Sequence, residues 1–185
     1  LPVKGTDDLL TLRSANDILG GNFLSRINMN LRETKGWSYG AGSGVGSTQD
    51  RVTFRVQAPV QADRTGDSIA EIRKELTGFL TTQGVSAEEL GWSTTGSARE
   101  LPGSFETSSD VLGGLVNIVN FKRPDTWYET LADRYKTMTT AELDAKAREM
   151  KLNEGLVYVV VGDAKVVEPQ LKPLGLPVEV IPAAK

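Results

Sequence analysis

The sequence predicts an α+β fold: a mainly antiparallel sheet with helices packed on one of its faces. Three observations predict it. Residues 37–47 and 51–58 alternate with period two on either side of a short polar stretch, as the arms of an antiparallel hairpin do. Ser86 to Glu89 and Thr139 to Glu142 each match the S/T-x-x-E box that opens a helix. Residues 156–161 form a β-branched run, apolar on both faces, as a central strand should be. The order helix, hairpin, helices, strand, helix then layers helices against a sheet. With 185 residues and no internal repeat, low-complexity tract or linker, the chain reads as one domain over residues 1–185.

Between Asp7 and Leu19 the residues Leu9, Leu12, Ala15 and Leu19 mark a helix capped by Thr6 or Asp7 and ended by Gly20. Phe23, Ile27 and Leu31 recur on one face of a second helix, which Gly36 stops, and the same periodicity turns Arg32 off the apolar stripe. After Gly36 the period becomes two, so Trp37 and Tyr39 point to one side of a strand. Gly40, Gly42, Gly44 and Gly46 share the opposite face of that strand from Tyr39, Ala41, Ser43 and Val45. So bare a face suggests close approach by another segment or a strongly coiled hairpin, with a flexible glycine loop as the alternative. Residues 47–50 make the turn, Val52, Phe54, Val56 and Ala58 line one side of the return strand, and Pro59 ends it.

A long helix over 63–82 places Ile69, Ile72, Leu76, Phe79 and Leu80 inward. The helix opened at Ser86 runs to Leu101, where Pro102 and Gly103 interrupt it. Residues 107–121 resume, with Val111, Leu112, Leu115, Ile118 and Val119 as core candidates, and Pro124 restarts a helix carrying Trp127, Tyr128, Leu131 and Tyr135. The box at Thr139 begins a helix with Leu143, Ala147 and Met150 on one side. Gly162 and Asp163 then turn from the central strand into a last helix through Leu174, and 177–181 is a weak terminal strand.

Composition narrows the chemistry. The chain has no histidine and no cysteine, so it lacks the side chains of the usual three-ligand catalytic zinc site and of Ser-His-Asp and Cys-His mechanisms. Hydrolysis by this chain alone is not expected. The absence of cysteine also leaves the redox compartment open. Net charge is -3 with both signs interspersed and no large basic cluster, which argues against nucleic acid as a partner. The longest apolar run, 156–161, is far short of the ~20 residues of a bilayer span, so no membrane span is expected. The start Leu1-Pro2-Val3, without Met or a signal pattern, reads as a processed chain or an excised piece of something longer. Gly36-Trp37-Ser38-Tyr39-Gly40 spells G-x-S-x-G, but Ser38 follows a helix and enters a strand, the reverse of a nucleophile elbow, and no histidine is present to take its proton.

The chemically specific residues concentrate between Leu19 and Gly40. Leu19, Gly20, Gly21, Phe23, Ser25, Arg26, Ile27, Leu31, Arg32, Glu33, Lys35, Gly36, Tyr39 and Gly40 fit a pattern close to LGG-x-F-x-S-R-[LI]-x-x-x-L-R-E-x-K-G-x-x-Y-G. The stretch resembles the second, non-metal half of the insulinase and pitrilysin family of zinc peptidases, the inverzincins, to which the mitochondrial processing peptidase also belongs. Residues 160–180 look like that family's domain ending, so the resemblance covers nearly the whole chain. The family's metallohydrolase-like domain opens with a strand ahead of the first helix. Only Leu1 to Gly5 precede that helix here, so the resemblance implies a first-strand position filled by something else.

The resemblance further implies a division of labour. In the family an arginine and a tyrosine at this separation reach from the non-metal half to a peptide held at the partner half's zinc, and those positions here are Arg32 and Tyr39. Ala41 and Ser43, small residues beside Tyr39, leave room for an extended peptide substrate. The partner is then an H-x-x-E-H half, in the same polypeptide or a separate subunit, and this chain itself binds no cofactor. Relatives of this type are often exported, so the resemblance points to the periplasm. The alternative is a non-catalytic structural or peptide-binding module of the same fold. Ser25 and Arg26 are read as structural, Arg26 as a partner for a carbonyl or an acidic side chain, and Trp37 as a packing residue rather than a substrate contact.

Overall fold

The computed structural model describes residues 1–182. Its core is set by the leucine spacing of the first helix, α1 (Leu10–Asn16), which runs on as a π-helical turn, Asp17–Gly21. Leu9, Leu12, Ala15, Ile18 and Leu19 are all buried, and α1 packs against α7 (Thr140–Glu149) and against β1 (Gly42–Ser47). The same core takes Ile27 and Leu31 from α2 (Arg26–Asn28) and its π-helical continuation, Met29–Thr34. From α3 (Thr65–Leu80) it takes Leu76, Phe79 and Leu80, and from α7 Leu143 and Ala147. Each buried Leu, Ile or Phe among them contributes about 1.5 to 3 kcal/mol by leaving water.

The sheet is a hairpin. β1 pairs antiparallel with β2 (Val52–Gln57) in a register that sets Val45 opposite Phe54 and Ser43 opposite Val56 on the helix-covered face. Gly44 and Gly46 lie opposite Arg55 and Thr53 on the other face, which is exposed, while Gly42, opposite Gln57, lies against the end of the π-helical turn at Gly20. The class is therefore the expected one, α+β with helices on one side of an antiparallel sheet. Around it stand α4 (Ala87–Glu100), α5 (Ser108–Phe121), α6 (Trp127–Thr137) and α8 (Ala164–Leu171). Capping boxes close at Ser86 with Glu89 and at Thr139 with Glu142, as expected, and a third forms at Thr107 with Asp110.

Several expectations are corrected. Residues 156–161 are extended but form no central strand: among the described residues none of their backbone groups is hydrogen-bonded, because no neighbouring strand lies alongside. Residues 177–181 are likewise unpaired. The first strand begins at Gly42 rather than Trp37, and Ser38 makes only an isolated bridge to Val60. Val111, Leu112, Leu115 and Val119 are exposed, not core, since among the described residues nothing covers that face of α5; its buried position is Gly114, against Phe105 and Tyr128. At the start of α1, Leu9 occupies the N-cap position and no side chain caps the helix, so neither Thr6 nor Asp7 is the cap; Asp7 accepts from the Lys4 N–H and Asp8 from the Leu10 N–H ahead of it.

Candidate functional site

Arg32 sits on the π-helical turn that continues α2, a turn wider than an α-turn and a frequent companion of functional positions. Its element is fastened from behind. Arg26 reaches α4 with two bonds to the Glu89 carboxylate, 2.6 and 2.7 Å, and also donates to the Gln83 and Gly84 carbonyls. Burial alone would raise the Glu89 carboxyl, but the bonds from Arg26 and Ser86 hold it below the usual range. Asn30 donates to Glu71 and Glu75 of α3 at 2.9 and 2.6 Å, and Lys35 pairs with Glu71 at 3.3 Å. Arg26 is thus the structural residue that the sequence suggests.

Gly36 then ends the turn at φ 65°, a left-handed conformation that glycine adopts without strain, and the Trp37 N–H returns to the Leu31 carbonyl at 2.9 Å. This reversal carries Tyr39 back over Arg32. The Arg32 guanidinium lies 5.2 Å from the Tyr39 ring centroid and 4.6 Å from that of Phe23, between two aromatic rings. Its ion-pair partner is the adjacent Glu33, at 3.2 Å. Tyr39 is 90% exposed. Of the residues singled out in the sequence, Arg32 and Tyr39 are therefore brought together.

Beside them opens a hollow of about 850 Å³, lined by Arg32, Phe23, the backbone of 40–44, and Arg55. Its floor is the uncovered glycine face of β1, and a Cβ on Gly44 would meet nothing within 4 Å. Gly42 is there for a different reason: a Cβ would stand 2.6 Å from the Gly20 carbonyl, where α1's end crosses the strand. Close approach, the first of the readings for the glycine run, holds at this position.

Ala41 and Ser43 both line the hollow. The Ala41 N–H donates to Asn28 Oδ1 at 3.1 Å. The Ser43 hydroxyl is turned to the helix side, donating to Asn16 Oδ1 at 2.7 Å. Ser38 is similarly engaged: its Oγ lies 2.7 Å from the Pro59 carbonyl and accepts the Gly40 N–H. Trp37 is half-buried against the core, with the Lys35 ammonium 5.2 Å from its ring.

Three contributors were not read from the sequence. Phe23 precedes α2 and is exposed instead of extending the Ile27 and Leu31 stripe, and it forms one wall around Arg32. Asn28 clamps the two strands of the loop, donating to the Phe23 carbonyl at 2.7 Å while accepting from Ala41. Arg55 faces the glycine floor from β2, and its place opposite Gly44 follows from the strand register. No group of three metal-ligating side chains converges among the described residues.

The comparisons agree with this architecture. The family model described as "Peptidase M16 inactive domain" matches residues 1–91, about half of the chain. No curated protein matches significantly. A solved structure of a peptidase M16 inactive domain from Pseudomonas fluorescens shares 24% identity with a TM-score of 0.70, covering 80% of this chain and 35% of its own. A protease from Helicobacter pylori shares 18% identity, TM-score 0.65, covering 83% of this chain and 36% of its own. The periplasmic protease PqqL of Escherichia coli shares 17% identity, TM-score 0.64, covering 80% of this chain and 16% of its own. The chain thus spans about a third of the first two and less of the third, and these likenesses establish the fold. With that fold and with the family's sequence over residues 1–91, the chain matches the peptidase M16 inactive domain and is similar to the non-metal half of an insulinase-like peptidase.

Proposed function

We propose that this chain is the substrate-binding, zinc-free half of a zinc metalloendopeptidase and supplies Arg32 and Tyr39 to a peptide held at a partner half's H-x-x-E-H site. The observation that carries the reading is the placement of Arg32: off the core, between the Phe23 and Tyr39 rings, at the edge of an open hollow floored by glycine backbone. A guanidinium is always charged and presents fixed donors, so it suits a substrate carbonyl. The rings hold it without consuming those donors. Tyr39, nearly free in solvent, keeps its hydroxyl available for the oxygen that becomes negative in a tetrahedral intermediate. The small residues Gly44 and Ala41 on the wall leave room for an extended peptide.

The zinc belongs to the partner half, in the same polypeptide or a second subunit, and supplies Lewis-acid polarisation and the activated water. The periplasm is the compartment we infer, since one protein of the same fold, PqqL, is a periplasmic protease. The test is to combine this chain with its zinc half and follow cleavage of an unstructured peptide. Arg32→Ala and Tyr39→Phe should each lower kcat/KM by about 100-fold or more, the usual cost of one lost transition-state donor. Unchanged kcat/KM in both variants would refute the assigned roles.

A further inference from the structure

Two arginines far from each other in sequence line one cavity, and no acid meets either of them. α5 ends at Lys122, which takes a left-handed φ of 51°, and the Arg123 N–H returns to the Ile118 carbonyl at 2.9 Å. The guanidinium of Arg123 then donates to the Gly5 and Asp7 carbonyls at 2.8 and 2.7 Å, and more weakly to that of Thr6. Arg13 of α1 donates to Ser47 Oγ, at the end of β1, at 2.9 Å. Both arginines line a cavity of about 350 Å³ walled by the aromatic rings of Phe121, Trp127 and Tyr128. Every oxygen that holds these two guanidiniums is a neutral carbonyl or hydroxyl, and among the described residues neither forms an ion pair. Arg134 is the contrast: it too lies against the Trp127 ring, 4.6 Å from its centroid, but Asp8 meets its charge. Arg13 is open to solvent on one side, yet it is lowered from its ordinary value, first by water lost to its surroundings and then by the charge of Arg123. Two like charges are thus held beside one cavity, and an anion placed between them relieves their repulsion.

We propose that this cavity binds a carboxylate carried on an aromatic body, the chemistry shared by a free aromatic acid and the C-terminal residue of a peptide. The carboxylate lies between the Arg13 and Arg123 guanidiniums and takes donors that they do not spend within the fold. Arg13 gives one side-chain bond and Arg123 three, fewer than the N–H groups a guanidinium carries. Because bonds to the protein already fix both groups, little ordering is left for the ligand to impose. The walls select the body. Phosphate satisfies the charges but leaves Phe121, Trp127 and Tyr128 uncovered, whereas an aromatic acid meets both halves of the cavity. Asn117, exposed at the rim, offers a side-chain amide to the peptide group that precedes a C-terminal residue. The cavity shares no lining residue with the hollow beside Arg32, so the proposal stands apart from the peptidase reading.

The test is a titration of this chain, at pH 7 and low salt, followed by NMR at the Trp127 indole N–H, which is identified by its loss in Trp127→Phe. The probes are N-acetyl-phenylalanine, its neutral amide, 3-phenylpropionate and inorganic phosphate. N-acetyl-phenylalanine should shift the signal with a Kd of about a millimolar or tighter. The neutral amide and phosphate should each bind about tenfold or more weakly. Arg13→Gln should also weaken the acid about tenfold, with Tm unchanged within a few degrees because Arg13 is exposed and makes a single side-chain bond. Tighter binding of N-acetyl-phenylalanine than of 3-phenylpropionate assigns the site to a peptide C-terminus, and the reverse assigns it to a free acid. The proposal is overturned if the amide binds as well as the acid, or if phosphate matches the acid, since the aromatic walls then select nothing. It is also overturned if folded Arg13→Gln binds as the wild type does, or if the indole signal stays unmoved well above millimolar acid. No arm reads peptide cleavage, so this failure is separate from failure of the peptidase reading.

Discussion

Substituting Gly20 and Gly44 singly by alanine separates the two reasons a glycine stands near the site. A Cβ on Gly20 would lie 2.2 Å from Ser43 Oγ and 2.6 Å from the Ser43 backbone nitrogen. The hydroxyl can rotate away, but the backbone nitrogen sits in the β1 hairpin and cannot yield without moving the strand. Overpacking of this kind costs about 1 to 3 kcal/mol, and contact with backbone puts it at the upper end. Alanine recovers about 0.4 to 1 kcal/mol through the unfolded chain, leaving a net loss of about 2 kcal/mol. At Gly44 nothing lies within 4 Å and φ is not positive, so only the gain remains. The two variants should therefore differ by about 2.5 kcal/mol, or about 5 to 10 °C in Tm for a domain of this size. Urea and thermal unfolding of both proteins measure it. Equal stabilities, or a Gly44→Ala protein less stable than Gly20→Ala, would refute the account of close approach at one position and bare floor at the other.

Arg26→Ala should cost about 3 kcal/mol, since it strands the half-buried Glu89 carboxylate and two carbonyls together, and chemical denaturation reads the loss. The folded state holds the Glu89 carboxyl below its unfolded value, so its contribution is present above about pH 4.5 and is lost as pH falls through the folded value; the gap between wild type and Arg26→Ala should narrow over that acid range. Asp17 is the opposite case: burial raises its carboxyl, and a bond from Ser93 only partly offsets this. Asp17→Asn should accordingly raise Tm at pH 7 and lose that advantage as pH falls through the folded value toward 3.8, where the wild-type carboxyl is itself neutral. Leu76→Ala, at a fully buried position of α3, should lower stability by about 3 to 4 kcal/mol in urea unfolding.

The sequence made the front half of the molecule readable because its signals are local. The capping boxes, the Gly36 stop and the Val52, Phe54, Val56 alternation each depend on neighbours a few residues away, and each appears as expected. Phe23 was misplaced because an aromatic at helical spacing looks the same whether it extends the stripe or precedes the helix; the extended Ser25 at the start of α2 is what separates the two cases. The sequence singles out Arg32 and Tyr39, yet the Phe23 wall and the Asn28 clamp are contacts across the loop, to Arg32 and to Ala41, and no periodicity announces them. Apolar patterning likewise says that Leu112, Leu115 and Val157 want a cover without saying whether this chain provides it, and among the described residues it does not.

The unpaired run 156–161 also bears on handling. It joins Val157, Val159, Val160 and Val161 in a short window with no charge and no proline, the composition from which cross-β fibrils nucleate. The gatekeepers lie outside it, Lys151 and Glu154 ahead and Asp163 and Lys165 behind, and they oppose stacking only while their charges are unscreened. Concentrated, salt-rich solutions of the isolated chain should therefore turn thioflavin-positive first through this window, and Val159→Lys should delay it.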